Sequence, residues 1–385
     1  MANTLTNLIS DAHVALDTVS RELVGFIPAV SRDATVDRAA IGETVRSFVA
    51  PASTATDITP AVTPPDDGDQ TIGNITLQIT KSKRVPFRWN GEQSLGMNNG
   101  GVGNLTVRQD QIAQAMRTLT NEAEADLAAL HLGSSRAFGT SGTTPFASNL
   151  ADTAQVAKIL KDNGQWIPGN MQMVIDTSAG ANMSTLTQLT RANEAGDTSL
   201  LRQGILGMVH GFDVRESGQV ASHTAGTGAS ATTDATGYAV GSTTITLAAA
   251  GTGTILAGDV ITFAGDAEKY VVVTGDADVS GGGTIVIAGP GLRTAIPASA
   301  TAITVSATST RSCAFQRNAL LLGTRLPALP DDGDSAVDRI TVTDSRSGLS
   351  MEISLYAQYR QMQYELSMAW GVKTIKTEGS AILLG

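Results

Sequence analysis

The chain has a single cysteine, Cys313, among 385 residues, and four histidines. One thiol excludes an intrachain disulfide framework and suits a reducing compartment. His13, His131, His210 and His223 show no H-x-x-x-H spacing, and none lies beside a cysteine, so no metal site is expected. No apolar run approaches the roughly 20 residues a membrane span needs, which excludes a membrane partner of the helical kind. Met1-Ala-Asn-Thr4 lacks a basic stretch followed by an apolar run, so no signal peptide is expected. Positive charge is in short supply: the net charge is −10 and the isoelectric point about 4.9. An acidic chain lacks the electrostatic footprint of a general nucleic-acid binder, and one that encloses nucleic acid would do so without gripping it.

Catalytic motifs are missing as well. There is no G-x-x-x-x-G-K-[ST] phosphate loop, and Gly226-Thr-Gly228 and Gly251-Thr-Gly253 lack the third glycine of a dinucleotide site. Asp176-Thr-Ser178-Ala-Gly180 resembles a nucleophile elbow only in part, since Asp176 replaces its first glycine; Ser178 reads better as a helix cap. Cys313 sits in an apolar run and reads as a buried, inert thiol. Asp276-Ala-Asp278-Val-Ser280-Gly281 begins like a calcium loop, but Ile287 stands where a bidentate Glu is required. It reads instead as an exposed acidic hairpin tip. No nucleophile, base and oxyanion site assemble, so the chain is not expected to be an enzyme and no cofactor is implied.

What is present is a change of texture. From about Thr224 to Arg311 the sequence is rich in Gly, Ala and Thr, with short β runs such as Thr243-Thr-Ile-Thr-Leu247 and Tyr270-Val-Val-Val273. The flanks read as a mixed α/β protein, so 224–311 is expected to be a small β module spliced into a larger domain. Leu5, Leu8, Ile9, Ala12, Leu16, Val19 and Leu23 recur at three and four, predicting an amphipathic helix over 4–24 that ends before Gly25 and Pro28. Residues 41–90 read as a long β-arm with a polar, proline-punctuated tip. Ile75, Leu77, Ile79, Val85, Phe87 and Trp89 fall on odd positions against polar even ones, and Pro86 predicts an edge strand. The strongest helix is expected over 107–132, with Thr106 to Gln109 as a capping box, Ile112, Met116, Leu119, Ala123, Leu127 and Leu130 as its stripe, and Gly133 as C′ glycine.

Residues 149–223 predict a compact unit: a helix capped by Asp152 and ending at Gly164, a strand at Met171–Ile175, a helix over 178–190 and a strand at Phe212–Arg215. At the end of the chain, apolar residues alternate on odd positions from Met351 to Tyr359 and on even ones from Met362 to Val372. A turn or bulge at Arg360-Gln361 would keep both halves on one face.

Two charged clusters stand out. Lys81, Lys83, Arg84 and Arg88 are the densest basic group. A solvated strand face, pairing with an acidic neighbouring subunit, and phosphate contact all remain open for it. Pro64-Pro-Asp66-Asp67-Gly68-Asp69 and Pro330-Asp-Asp-Gly-Asp334 are acidic turns.

Several strings, in order, resemble a known family: Val19-Ser-Arg-Glu-Leu-Val-Gly-Phe-Ile-Pro28, Asp57-Ile-Thr-Pro-Ala-Val-Thr-Pro-Pro-Asp-Asp-Gly-Asp69, Arg84-Val-Pro-Phe-Arg-Trp-Asn-Gly91, Asn121-Glu-Ala-Glu-Ala-Asp-Leu-Ala-Ala-Leu130 and Gln188-Leu-Thr-Arg-Ala-Asn-Glu-Ala-Gly196. With the order of elements, they resemble the major capsid proteins of tailed bacteriophages with the HK97-like fold, and more narrowly the P-twenty-two-type coat protein family with its inserted β-domain. The resemblance implies an α+β fold divided into an N-terminal arm (1–40), an extended loop (E-loop, 41–92), a spine helix with peripheral domain (93–148), the first part of an axial domain (149–223), an inserted all-β domain (224–311), the axial return (312–336) and peripheral strands with the C-terminus (337–385). It implies a structural protein of the virion, assembled in the host cytoplasm into hexamers and pentamers of an icosahedral shell around double-stranded DNA. A scaffold-dependent procapsid is implied, with scaffolding and portal proteins as partners and DNA enclosed without sequence-specific binding. It implies further that Asp276 and Asp278 form a loop reaching across capsomers, and that Asp66, Asp67, Asp69, Lys81, Lys83, Arg84 and Arg88 make E-loop contacts between subunits. The alternative is a secreted or surface β-module binding protein, suggested by the Thr/Gly-rich strands.

Overall fold

The computed structural model describes residues 25–49, 55–63, 68–99, 104–190, 206–331, 333–343 and 349–385. The helix expected over 4–24, with His13, lies outside these residues, as do Asp66, Asp67 and the stretch from Arg191 to Gly196. Strand outweighs helix, 40% against 22%, and most strand pairs are antiparallel, which makes the fold α+β.

The described chain enters through a one-turn helix, α1 (Phe26–Ala29), and strand β1 (Ser31–Ala39). An arm follows, in which β2 (Thr44–Val49) and β3 (Gly73–Gln78) pair as an isolated two-stranded ribbon. Strand β4 (Lys81–Asn90) and helix α2 (Gly91–Asn99) lead to the long helix α3 (Asn104–Ala128). At 1.5 Å per residue α3 spans roughly 38 Å. Its stripe of Ile112, Met116, Leu119, Ala123 and Leu127 is fully buried, because spacings of three and four place these side chains on one face. The helix starts two residues before the expected capping box and closes in a 3₁₀ turn, Ala129–Gly133. Gly133 is not a left-handed cap. It is required because a Cβ there would come within 2.9 Å of Thr374 Oγ1.

The second large sheet begins with β5 (Arg136–Phe138). Helix α4 (Ala151–Asp162) ends as expected: Gly164 takes φ +71°, its amide bonds Lys161 O, and the Gln165 amide bonds Leu160 O. Asp152 does not cap it; its carboxylate accepts instead from the Phe146 amide. Strand β6 (Met171–Ile175) is followed by α5 (Thr177–Thr185) and α6 (Thr187–Thr190), so the expected helix over 178–190 is broken at Leu186. The cap of α5 is Asp176, not Ser178: Asp176 accepts from the amides of Ser178 and Ala179. Next come β7 (Met208–Val209), β8 (Phe212–Glu216) and β9 (Ser222–His223). The Gly/Ala/Thr-rich region supplies β10 (Thr244–Leu247), β11 (Val260–Phe263), β12 (Lys269–Thr274), β13 (Gly283–Ile287) and β14 (Ile303–Val305). The chain returns through β15 (Ser309–Gln316).

Strand β15 is the partition of the molecule. Cys313 and Phe315 on one face join the core under α3, while Ala314 on the other joins the core under α4 and α5. Beyond it, β16 (Leu320–Pro327), β17 (Ala336–Thr343), β18 (Ser350–Gln358) and β19 (Gln361–Thr374) join β1 and β4 in a six-stranded sheet covered by α3. The phase flip at Arg360-Gln361 is a tight hairpin. Arg360 takes φ +57°, and the register Leu355↔Tyr364 and Ile353↔Leu366 keeps odd and even apolar residues on one face. Strand β4 pairs only with β19, and Pro86 stands opposite Glu365 on that edge strand. The last strand, β20 (Ser380–Leu384), runs between β15 and β5.

Residues 231–305 enclose a hydrophobic cluster of their own, around Ile245, Ile261, Tyr270 and Ile285. Their sheet is nonetheless continuous with the rest. Strand β12 pairs with β5 at Lys269↔Ala137 and Tyr270↔Arg136, and Val260 and Val271 pack on Ala137, Ile382 and Leu384. Buried Arg136 fastens this seam, donating to Glu268 at 2.8 Å, to Asn163 and to the Ile159 carbonyl.

Candidate interaction surfaces

The arm is held only at its root. Leu77 and Ile79 are buried where two glycines allow close approach. A Cβ on Gly371 would stand 2.0 Å from the Gln78 carbonyl oxygen, and one on Gly323 would stand 2.3 Å from Leu77 Cδ2. Outward from the root the apolar side chains lose their cover: Ile41 and Ile72 are largely exposed, and Ile58 and Val62 are 96% and 104% exposed. Burying each would contribute about 1.5–3 kcal/mol, and no surface among the described residues does so. Asp69 is exposed in the same stretch.

The basic cluster divides by strand face. Lys81 and Lys83 share the α3 side of β4 with Val85, Phe87 and Trp89. There Lys81 pairs with Asp126 at 2.7 Å, Lys83 with Glu122 at 2.5 Å, and Trp89 Nε1 donates to Gln111. Arg84, on the opposite face, pairs with Glu365 at 2.5 Å, and that bond holds its guanidinium above its usual range. Arg88 is exposed and has no ion pair among the described residues. Three of the four cations therefore have partners inside the chain, and Arg88 is unpaired among the described residues.

Where β4 meets the β18–β19 hairpin, a cleft of about 380 Å³ is lined by Trp89, Arg108, Arg360, Met362 and Tyr364. Arg108 lies over the Tyr364 ring, 5.8 Å from its centroid, and Tyr359, next in sequence to Arg360, is 90% exposed.

Asp276 and Asp278 lie in the connection between β12 and β13, which is a 3₁₀ turn and not a simple hairpin tip. Asp276 Oδ1 accepts from the Asp278 amide, and its other oxygen occupies the place where a Cβ on Gly283 would be. Asp278 caps the turn Val279–Gly281, accepting from Ser280 Oγ at 2.6 Å and from its amide, which holds its carboxyl below the usual range. Val279 anchors the turn in the local core. Asp278 is exposed and Asp276 half-buried. Asp334 of the other acidic turn is engaged by Arg339 and Tyr356.

Two polar constellations had no sequence signal. Glu124, buried inside α3, accepts from the amides of Gly25 (2.7 Å), Phe26 (2.6 Å) and Ile27 (3.0 Å) and from Ser217 Oγ (2.8 Å). His131, His223, Asp259 and Arg311 meet where β9 and β15 lie side by side. Both depend on distant pairs, Glu124 with Gly25, 99 positions apart, and His131 with His223, distances no local pattern encodes. His210 takes φ +48° and bonds Thr153 Oγ1 at the start of α4. Cys313 is buried and its thiol is pushed up to about 12 by burial, which makes it a poor nucleophile. Among the described residues no three His, Cys, Asp or Glu side chains converge as metal ligands, and no helix is long and apolar enough to cross a membrane.

No protein-family model matches the chain, and no curated protein does. Solved structures similar to it include one of Mycobacterium phage Che8 (12% identity, 89% of this chain and 84% of that chain, TM-score 0.45). Others are the capsid of the cyanophage P-SCSP1u (11%, 92% and 86%, 0.45) and the capsid of a native GTA particle (8%, 94% and 90%, 0.46). At TM-scores below 0.5 the chain paths superpose loosely, and function has to be argued from the surfaces described above.

Proposed function

We propose that this chain is the major capsid protein of a tailed phage, with an HK97-like fold, and that its work is structural and not catalytic. The observation that carries the proposal is the arm. It is a two-stranded ribbon rooted on the β16–β19 sheet at Gly323 and Gly371 and bearing fully exposed Ile58 and Val62, so it needs the surface of another subunit. The long helix α3 would be the spine, residues 41–92 the E-loop, and 224–311 an inserted domain of the P-twenty-two type. Asp66, Asp67 and Asp69 would meet a neighbour's Arg88 and the Arg108–Arg360 cleft, while the paired Lys81, Lys83 and Arg84 would stiffen the platform. Asp278, with Asp276, would reach across capsomers. Many modest interfaces of this kind add up in a closed shell. A subunit with a net charge of −10 would leave enclosed double-stranded DNA loosely held. Scaffolding and portal proteins would be assembly partners, in the host cytoplasm.

The continuous β5–β12 pairing speaks against an independent adhesive β-module. Negative-stain microscopy of the purified chain, alone and with a co-expressed scaffolding protein, tests the proposal. Closed shells are expected; a monodisperse monomer under every condition would overturn it.

A further inference from the structure

The segment 224–308 leaves and re-enters the rest of the chain through β9 and β15, which pair at Thr310↔Ser222 and Ser309↔His223. Buried charge is concentrated at that neck. Asp259 is fully buried and accepts from His223 Nε2 at 3.0 Å and from the amides of Gly226 and Leu256. The His131 ring, at the end of the long helix, stands edge-on to His223 at 5.7 Å. Its Nδ1 bonds the Ala128 carbonyl at 3.0 Å, which makes Nδ1 the protonated nitrogen. His131 Nε2 is buried without a hydrogen-bond partner, and so are all three guanidinium nitrogens of Arg311. Arg311 is close enough to act on the charges of both Asp259 and His131.

A second proton on His131 would therefore appear in a closed site, beside a cation, facing no acceptor. Burial, and secondarily Arg311 and His223, lower its pKa from 6.5 to about 4. Among the described residues no other charged group of the packed elements compensates, since the Asp259 carboxylate is taken up by His223 and two amides. Lys269 turns to the Gly139 carbonyl, Tyr270 to Asp266, Lys373 to the Thr76 carbonyl, Asp126 to Lys81 and Trp370, and Glu124 to Gly25–Ile27; β20 carries no titratable side chain. The Cys313 thiol is neutral.

We propose that this node is an acid-operated latch. Protonation of His131 opens the β9–β15 neck and loosens residues 224–308, which stay attached through the β5–β12 seam. The proposal rests on 224–311 being an insertion, and it is tested on soluble subunits, so its outcome is separate from whether shells form.

The test is amide hydrogen exchange of the full chain at pH 7 and pH 4.5, corrected for intrinsic rates. The neck amide of Arg311, bonded to the Ala221 carbonyl, is expected to open roughly 10- to 100-fold more at pH 4.5, with the β18–β19 hairpin unchanged. H131N keeps a donor for the Ala128 carbonyl and cannot titrate, so it should abolish the step. An unchanged neck in the wild type, the same step in H131N, or equal loosening of the hairpin would overturn the latch. Should H131N not fold, the wild-type His131 ring is titrated by NMR: a midpoint near 4 supports the proposal and one near 6.5 defeats it.

Discussion

Glu124 ties three parts of the described chain together. It is buried in α3, yet its carboxylate takes three consecutive backbone amides from Gly25–Phe26–Ile27 and a hydroxyl from Ser217, so one residue joins the root of the N-terminal segment, the long helix and the end of β8. Gly25 is required beside it, since a Cβ there would press on Val174 at 2.7 Å. Removing the acceptor strands four buried donors, at about 3 kcal/mol or more in total. E124A is expected to lose that much in urea unfolding, and E124Q, which keeps one carbonyl oxygen, less than half of it. Equal losses would mean that packing, and not the acceptor, matters. The pH dependence separates Glu124 from His131. Burial raises the Glu124 pKa above 4.5 despite its four donors, so its contribution is fullest below 4.5 and declines as pH rises through the raised value. His131 is a base with a lowered pKa, so its contribution is present above 6.5 and is lost as pH falls from 6.5 towards 4. Weakening in mild acid is therefore assigned to the neck and not to Glu124.

Among the elements, those with a local period were legible and those made by long-range pairing were not. The stripe from Ile112 to Leu127 and the alternation on either side of Arg360-Gln361 state their partners' faces in the sequence, and both stand where expected. Strand β5 has three residues and no period, yet it joins β12 to β20 and fuses two sheets. Only its partners, more than a hundred positions away, define it. Asp176 and Ser178 are both good caps, and only the local geometry chose between them. For the surfaces, the basic cluster was visible, but the carboxylates already holding Lys81, Lys83 and Arg84 were not, because Asp126 and Glu122 lie on another element. The arm yields an element-scale prediction. Its buried contacts lie at Leu77 and Ile79, outside residues 54–69, while Ile58 and Val62 contribute nothing to the core of the described residues. Deleting 54–69 should leave a soluble subunit whose melting temperature is unchanged and which forms no shells in sedimentation and microscopy. Normal shells, or a collapsed melting temperature, would refute that division of labour.

For the whole molecule, the question is whether 224–311 chiefly stabilises its own subunit or ties subunits together. It is attached to the rest by the β5–β12 seam, the Arg136 network and the neck, so losing it would damage the subunit first and say little about assembly. The charge of its 3₁₀ turn can be changed without touching those attachments. Asp276 and Asp278 hold the turn through side-chain oxygens that accept from the Asp278 amide and from Ser280. Asparagine keeps an accepting oxygen in the same place and caps comparably. D276N combined with D278N therefore removes two charges and leaves the fold of the turn. If the turn bridges capsomers, the double variant keeps the subunit's unfolding free energy within about 1 kcal/mol of wild type, since Asp278 is exposed and Asp276 half-buried. Its shells should come apart at lower denaturant, because the same small loss is repeated at every equivalent contact. D278A provides the contrast: it removes the cap as well and should weaken the subunit. A double asparagine variant whose shells share the wild-type dissociation midpoint would remove this turn from the interface and leave the inserted strands a role within the subunit alone.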